Sequence, residues 1–437
     1  MIARARAAAF SILLRVATTD AHSDELLRSG EVDALSAQDR ALTTALVLGT
    51  LRWQSALDAR IRAELARPAA KLAPAVETAL RLGTFQLGYM DRIPAHAAIG
   101  ESVELAKQAG ESYAAGMVNA VLRKLARAPS GAKDENAAES AHPRWMVDRW
   151  VTFYGRETAR AICAFNQEPA GMCLRLVHPD AERDLADEGV ELVAGEFLNA
   201  ARRVVRGDVV RSETFRRGWV RIQDEGSQLI AELAGRGTKI LDTCAAPGGK
   251  AAILSERNPD AAITAADVSA RRLDAMRRNY AEQRMEYAVQ DATAMRLDPK
   301  YDLILCDVPC TGTGTIGRNP EIRFRVNEQE IARQHARQVA ILRRALEGLA
   351  PEGRLLYSTC SLEPEENEAV VEECGEQATG VEVVSLKDDV LRLERESAMG
   401  ESGAQKLMET GFRDGYLRTI PGVRDCDGFF AALFVRR

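Results

Sequence analysis

The chain has 437 residues, which at about 150 residues per domain is room for two or three domains. Hydrophobic content of 46% and charged content of 28% are ordinary for a soluble globular protein, and glycine and proline are too sparse for a disordered chain. The formal net charge of −6 argues mildly against a nucleic-acid partner, but net charge averages over faces. Arg202, Arg203, Arg206, Arg211, Arg216, Arg217 and Arg221 crowd one stretch, and Arg318, Arg323, Arg325, Arg333 and Arg337 another. Glu363, Glu365, Glu366, Glu368, Glu372 and Glu373 form an acidic run elsewhere, so the charge map permits RNA on one face. The 8 cysteines include no C-x-x-C pair and there are 5 histidines, so no metal site is expected.

The N-terminus, MIARARAAAFSILLRVATTD, is basic and then apolar, but Arg15 interrupts the run. It reads as an amphipathic first helix rather than a signal peptide. No window approaches the eighteen or so apolar residues of a membrane span, and a cytoplasmic protein is expected. Residues 1–130 read as all helix. Apolar residues recur at three- and four-residue spacing in Leu42, Ala45, Leu46 and Gly49, and again in Ala79, Leu80, Leu82, Gly83 and Leu87. Residues 129–140, PSGAKDENAAES, read as a linker. Residues 141–222 read as a small α+β module: a helical aromatic stretch from His142, then short strands around Arg175, Val204 and Trp219.

Residues 223–437 alternate strand and helix, which predicts a mostly parallel sheet covered on both faces. The runs KILDTCA, AAITAAD, YAVQDA, YDLILCD and GRLLYST each end in a small or acidic residue. Ligands of such sheets bind beyond the strands' carboxyl ends, which here carry Asp242, Asp267, Asp291, Asp307 and Thr359-Cys360.

The first strand runs into DTCAAPGGK, where Gly248 and Gly249 let backbone turn closely around a ligand and open a helix. The G-x-G-x-x-G of dinucleotide sites is absent. Asp267 suits the two hydroxyls of a ribose, and Asp291 an adenine amino group. Singly, each of these is more readily a loop glycine or a capping aspartate; the ordered series is what points to a nucleoside cofactor. YDLILCDVPCTGTG then puts Pro309 and Cys310 after Asp307, and GRLLYSTCSLEPEENEAVV puts Cys360 at the next strand end. Amino-group methyltransferases carry an aromatic residue where Cys310 stands. One strand-end cysteine is more often structural, but two at neighbouring ends beside a cofactor loop point to chemistry. Position alone does not say which of them attacks.

DTCAAPGGK, DVPCTGTGTIGRNPEIRF, YSTCSLEPEENEAVV and the terminal DGFFAALF together resemble the Sun/NOL1/NOP2 family of RNA 5-methylcytosine methyltransferases. RLGTFQLGYMDRIPAHAAIGESVELAK and GMVNAVLRKL resemble the NusB-like RNA-binding domain of its RsmB-type branch, which modifies a cytosine of 16S ribosomal RNA. Val308 and Thr311 stand where the family usually has Ala and Ser, Gly317 where a basic residue is common, and residues 396–420 are unfamiliar.

The resemblance implies an α/β fold. It would hold a Rossmann-like class I methyltransferase domain (223–437), a helical NusB-like N-terminal domain (1–130) and a small α+β RNA-binding module (141–222). It implies S-adenosyl-L-methionine held by Cys244, Ala245, Ala246, Pro247, Gly248, Gly249, Lys250, Asp267, Asp291 and Asp307. Cys360 would be the nucleophile and Cys310 would assist release, whereas the analogy with DNA cytosine methyltransferases would make Cys310 the nucleophile. Asp307 would hold the cytosine ring at nitrogen 3, and Lys250 would order the site. The expected partner is 16S ribosomal RNA, naked or in an early assembly intermediate, bound by a monomer through Arg202, Arg203, Arg206 and Arg318.

Overall fold

The computed structural model describes residues 2–127, 137–296 and 300–437. The chain divides into two compact units, Met1–Pro169 with Ile316–Arg325, and Ala170–Thr315 with Val326–Arg437.

The first unit is helical among its described residues. Helix Arg4–Thr18 buries Ala5, Ala9, Ile12, Leu13 and Val16, one stripe at helical spacing. Helix Ala37–Arg52 starts where the Ser36 side chain accepts from Asp39 N, and helix Pro74–Tyr89 starts on a proline that has no N–H to leave unpaired. Leu46, Leu57, Leu80, Leu82, Val118 and Leu122 meet in one core. Most of the expected linker, residues 129–136, lies outside the described residues, and Ala137–Ser140 is one turn of helix. Helices Arg144–Tyr154 and Arg156–Gln167, read in sequence with the middle module, fall in this first unit.

A ten-residue piece of the second motif region also belongs to the first unit. Glu321, 2% exposed, accepts from Ser23 N at 2.8 Å and Ser23 Oγ at 3.0 Å. Arg323 is fully buried, its Nη1 3.1 Å from Arg52 O, 3.1 Å from Ala141 O and 2.8 Å from Gln167 Oε1. Burial lowers its guanidinium to about 9. Arg325 donates to Ala21 O and Val16 O. Two arginines expected in an exposed basic cluster thus serve backbone carbonyls instead.

The second unit opens with strands β1 (Cys173–Leu176), β2 (Glu191–Ala194), β3 (Ala201–Arg206) and β4 (Val220–Ile222). They form an antiparallel sheet in the order β2-β3-β1-β4, with helix Ala181–Asp187 between β1 and β2 and helix Glu213–Arg216 between β3 and β4. That is a split βαβ arrangement. Arg175 ties this sheet to helices Glu225–Ala234 and Gly249–Arg257, pairing with Glu232 at 2.8 Å and Glu256 at 3.2 Å.

The large sheet contains β5 (Lys239–Asp242), β6 (Ala262–Asp267), β7 (Glu286–Val289), β8 (Tyr301–Asp307), β9 (Leu349–Thr359), β10 (Val381–Val384), β11 (Phe412–Arg413), β12 (Tyr416–Thr419) and β13 (Phe429–Arg436). The order is β11-β12-β13-β9-β8-β5-β6-β7, with β10 pairing β13. Strands β5 to β9 are mutually parallel, as the alternating pattern predicts. The C-terminal strands β10 to β13 add an antiparallel wing. The unfamiliar stretch 396–420 supplies helix Glu401–Thr410 and the β11–β12 pair. Strand order reverses between β5 and β8, so the ligand crevice of this topology opens at their carboxyl ends.

Candidate active site

Beyond β5 the chain turns sharply through Thr243–Gly248 into helix Gly249–Arg257. Gly248 caps that helix in the left-handed region (φ 112°), and a Cβ there would stand 2.6 Å from the Tyr280 ring and 2.7 Å from Met276. Only glycine meets both conditions. The loop is tied to its neighbours by Thr243 N to Leu305 O at 3.0 Å and Ala245 N to Ala266 O at 2.8 Å. Gln223, beside Gly249, keeps its Oε1 buried with no hydrogen-bond partner among the described residues.

Of the expected carboxylates, Asp242 is 1% exposed and Asp267 3%. Burial, and then the charge of Asp307, pushes Asp242 up to about 7. Asp267 accepts from Ser269 N at 2.9 Å and Ala246 N at 3.3 Å, and pairs with Arg272 at 3.2 Å. Asp291 differs from expectation. It lies beyond the end of β7, exposed, and its Oδ1 accepts from Thr293 N and Thr293 Oγ1 in a local turn. Those bonds lower its carboxyl. Cys244 follows Asp242 in the loop, and burial raises its thiol to about 12.

Asp307, at the end of β8, is held from two sides. Lys250 Nζ lies 2.7 Å from Oδ2 and Ser358 Oγ donates to Oδ1 at 2.8 Å. Burial alone would lower the Lys250 ammonium, but Asp307, Cys360 and Asp242 together hold it above its ordinary value. Lys250 also stands 5.1 Å from the centre of the Phe429 ring. Phe429 belongs to the terminal DGFFAALF motif, and Ser358 lies in YSTCS; sequence reasoning gave neither a role.

The two cysteines come together. Cys310 Sγ and Cys360 Sγ are 3.4 Å apart, both partly exposed and both free. Disulfide sulfurs would be about 2.05 Å apart. The hydrogen bond to Cys360, and then burial, hold the Cys310 thiol well above its ordinary value. The loop after Cys310 is pinned by Gly314, whose N–H donates to Cys360 O at 2.9 Å and whose carbonyl accepts from Gly428 N at 2.8 Å. A Cβ on Gly314 would meet Gly428 O at 2.3 Å.

Of the four expected RNA arginines, three fall in the second unit and Arg318 in the first. Arg202 is bidentate with Glu182 at 2.6 and 2.7 Å, and Arg203 pairs with Asp425. Arg206 is exposed at the end of β3, and Arg318 is partly buried in the first unit. Much of the rest of the cluster is ion-paired as well: Arg211 with Asp208, Arg216 and Arg217 with Glu213, and Arg221 with Glu256. The clustering of arginines in sequence hides the carboxylates that folding brings to them.

The model of the 16S rRNA methyltransferase RsmB/F family matches residues 232–435. The NusB family model matches residues 3–127, and an RsmF/B-like ferredoxin-like domain matches residues 142–205. A Bacillus subtilis (strain 168) protein described as "Probable ribosomal RNA small subunit methyltransferase B" is 32% identical, over 97% of this chain and 96% of its own. "Ribosomal RNA small subunit methyltransferase B" of Pseudomonas putida is 34% identical, over 88% of this chain and 91% of its own. Among solved structures, PH0851 superposes with a TM-score of 0.80 at 22% identity over 99% of both chains, which is a likeness of fold. A methyltransferase homolog from Pyrococcus horikoshii gives 0.55 at 26% identity, over 68% of this chain and 96% of its own. With relatives of this identity matched along nearly its whole length, the chain belongs to the RsmB/F family of 16S rRNA methyltransferases.

Proposed function

We propose that the protein transfers a methyl group from S-adenosylmethionine to carbon 5 of a cytosine in 16S ribosomal RNA, in the cytoplasm, through a covalent adduct of Cys360 at carbon 6. The observation that carries this reading is the pair of free thiols 3.4 Å apart beside the Lys250–Asp307 ion pair. The glycine turn at Gly248 and the orphaned Gln223 Oε1 beside Gly249 suit a small polar ligand at the start of helix Gly249–Arg257. Cys244 to Lys250 would hold the cofactor there with Asp267, while the exposed, turn-bound Asp291 would contribute from the rim. When bound, the cofactor supplies an electrophilic methyl group.

Carbon 5 of cytosine is a weak nucleophile, and a thiolate adding at carbon 6 turns the ring into an enamine whose carbon 5 can accept the methyl. The target base must leave any stack to be reached. Lys250 favours a thiolate at Cys360, so Cys360 is the better attacker of the two. Asp307 holds the ring at nitrogen 3, and the Lys250 ammonium paired with it offsets the charge that addition drives into the ring.

Release needs the carbon 5 proton removed, the carbon 5–carbon 6 double bond restored and the Cys360 sulfur expelled as thiolate. We assign that proton to Cys310. Cys310 is partly exposed, so once the Cys360 sulfur is bonded to carbon the Cys310 thiol gives its own proton to solvent and, as thiolate, takes the carbon 5 proton.

In this reading residues 1–130 bind RNA without catalysis, residues 141–222 add further RNA contact and residues 223–437 carry the chemistry. The test is nucleoside analysis and bisulfite sequencing of 16S ribosomal RNA from a strain lacking the protein. One cytosine should lose its 5-methyl group and regain it on incubation with the purified protein and S-adenosylmethionine. An unchanged methylation map would reject the proposal.

A further inference from the structure

Behind the two thiols lies a polar cluster that the chemistry above does not use. Glu366 is fully buried although it stands in an acidic run, SLEPEENE. Its Oε1 accepts from Thr311 N at 2.8 Å and from Gln338 Nε2 at 3.0 Å. Its Oε2 accepts from the hydroxyls of Thr311 and Ser361. Thr311 follows Cys310, and Ser361 follows Cys360. Gln338, also fully buried, donates to Pro309 O at 2.9 Å, on the other side of Cys310.

We propose that Glu366, assisted by Gln338, is a positioning residue that sets the separation of the two reactive thiols by anchoring both of their loops to one carboxylate. A buried carboxylate with four donors is costly to place and persists only where its bonds are complete. Here every bond ends on a residue that flanks a cysteine or on the glutamine that holds one.

The two loops do not depend on it equally. Cys360 has a second anchor, because Thr359 Oγ1 donates to Asn367 Oδ1 at 2.6 Å and Asn367 Nδ2 donates to Ser361 O at 2.9 Å. The Cys310 loop takes two of its bonds from Glu366 directly and a third through Gln338, all on residues next to Cys310, whereas its other anchors lie three and four residues on, at Thr313 and Gly314. Loosening the hub therefore displaces Cys310 more than Cys360. This rests on the reading in which Cys360 attacks and Cys310 assists release. Attack would survive and release would slow.

The experiment uses the full chain, S-adenosylmethionine and transcribed 16S ribosomal RNA. Glu366→Gln puts an amide N–H₂ against donors, and turnover is expected to fall by about a hundredfold, the scale of a misplacement near 1 Å. RNA affinity, cofactor affinity by calorimetry and the single-turnover rate of methyl transfer should stay as in the wild type. A covalent protein–RNA band should build up on a denaturing gel although Cys310 is present. Thr311→Val removes one donor with little change of shape and should show the same signature more weakly.

General loss of fold would lower adduct and turnover together. That outcome in a Thr311→Val variant with wild-type melting temperature, or wild-type turnover in Glu366→Gln, would overturn the proposal. Cys310→Ala serves as the control. If it also traps no RNA, the reading of the two thiols fails; if it traps RNA and the hub variants do not, only the positioning role falls.

Discussion

Lys250 Nζ lies 2.7 Å from Asp307 Oδ2, and the same ammonium interacts favourably with a thiolate at Cys360. One cation thus supports both the carboxylate and the nucleophile. Lys250→Met should cost about 2–3 kcal/mol, below the 3–5 kcal/mol of a fully buried broken pair because water reaches Asp307. Asp307 is 25% exposed at the side chain. Urea unfolding measures this loss. The thiol should respond too: alkylation of Cys360 by iodoacetamide at neutral pH should slow, because the ammonium that favours its thiolate is gone. An unaltered alkylation rate would confine Lys250 to the ion pair.

Asp242 supplies a pH test of the fold. Its folded value of about 7 stands above the unfolded value, near 3.9, so protonated Asp242 favours the folded state. That contribution is complete below about pH 4 and is lost as pH rises through about 7, with a slope of up to ~1.4 kcal/mol per pH unit between them. Asn at this position stays neutral and can still accept from Cys244 N, which lies 3.4 Å from Asp242 Oδ1. Asp242→Asn should therefore gain stability over the wild type as pH rises from 5 to 8. Parallel curves for the two proteins would show that Asp242 does not titrate in that window.

Among the described residues, the arginines of β3 separate into paired and unpaired. Arg202 and Arg203 are engaged by Glu182 and Asp425, while Arg206 is exposed. Removing one cation that touches a phosphate lowers the salt slope of RNA binding by about one unit. Arg206→Ala should show that change and Arg202→Ala should not. Equal slopes for both variants and the wild type would mean that this strand does not touch the RNA.

Much of the catalytic unit is legible in sequence because its strands end in the residues that matter. Apolar runs closing on Asp242, Asp267, Asp307 and Cys360 announce both the parallel sheet and the crevice. The antiparallel wing is less legible: β10 to β13 carry no crossover pattern, and β13 reads in sequence as a motif, DGFFAALF. Charge was the poorest guide. The run from Glu363 to Glu373 reads as a concentration of acidic charge, yet Glu363 and Glu366 are fully buried. GRNPEIRF reads as part of the catalytic motif with an RNA-contacting arginine, yet Glu321 and Arg323 are buried in the first unit. Local composition cannot report burial that depends on partners such as Ser23 and Gln167, more than a hundred residues away.

That burial changes how the helical unit can be tested. Cutting the chain near residue 141 would remove Ser23 and Arg52 and leave Glu321 and Arg323 without them. Arg323→Met keeps the chain whole and removes only the guanidinium. Three buried oxygens would lose a charged donor, a loss of about 2–4 kcal/mol at the scale of hydrogen bonds to charged groups. The first unit's transition in thermal unfolding should shift down while cofactor affinity holds. A melting curve identical to the wild type would mean the three hydrogen bonds contribute nothing net.

The two thiols can be told apart by what each loss leaves behind. They lie 3.4 Å apart at the ends of adjacent strands, so geometry alone admits either as nucleophile, and the Lys250 ammonium favours a thiolate at Cys360. Without the nucleophile no adduct forms. Without the residue that helps break the adduct, the adduct accumulates after methyl transfer. Cys360→Ala should be inactive and show no covalent RNA complex on a denaturing gel. Cys310→Ala should turn over poorly and trap protein on RNA when S-adenosylmethionine is present. The double variant should trap nothing, because release matters only after attack. Trapping in Cys360→Ala with none in Cys310→Ala would exchange the two roles, and the protein would then work as the DNA cytosine enzymes do.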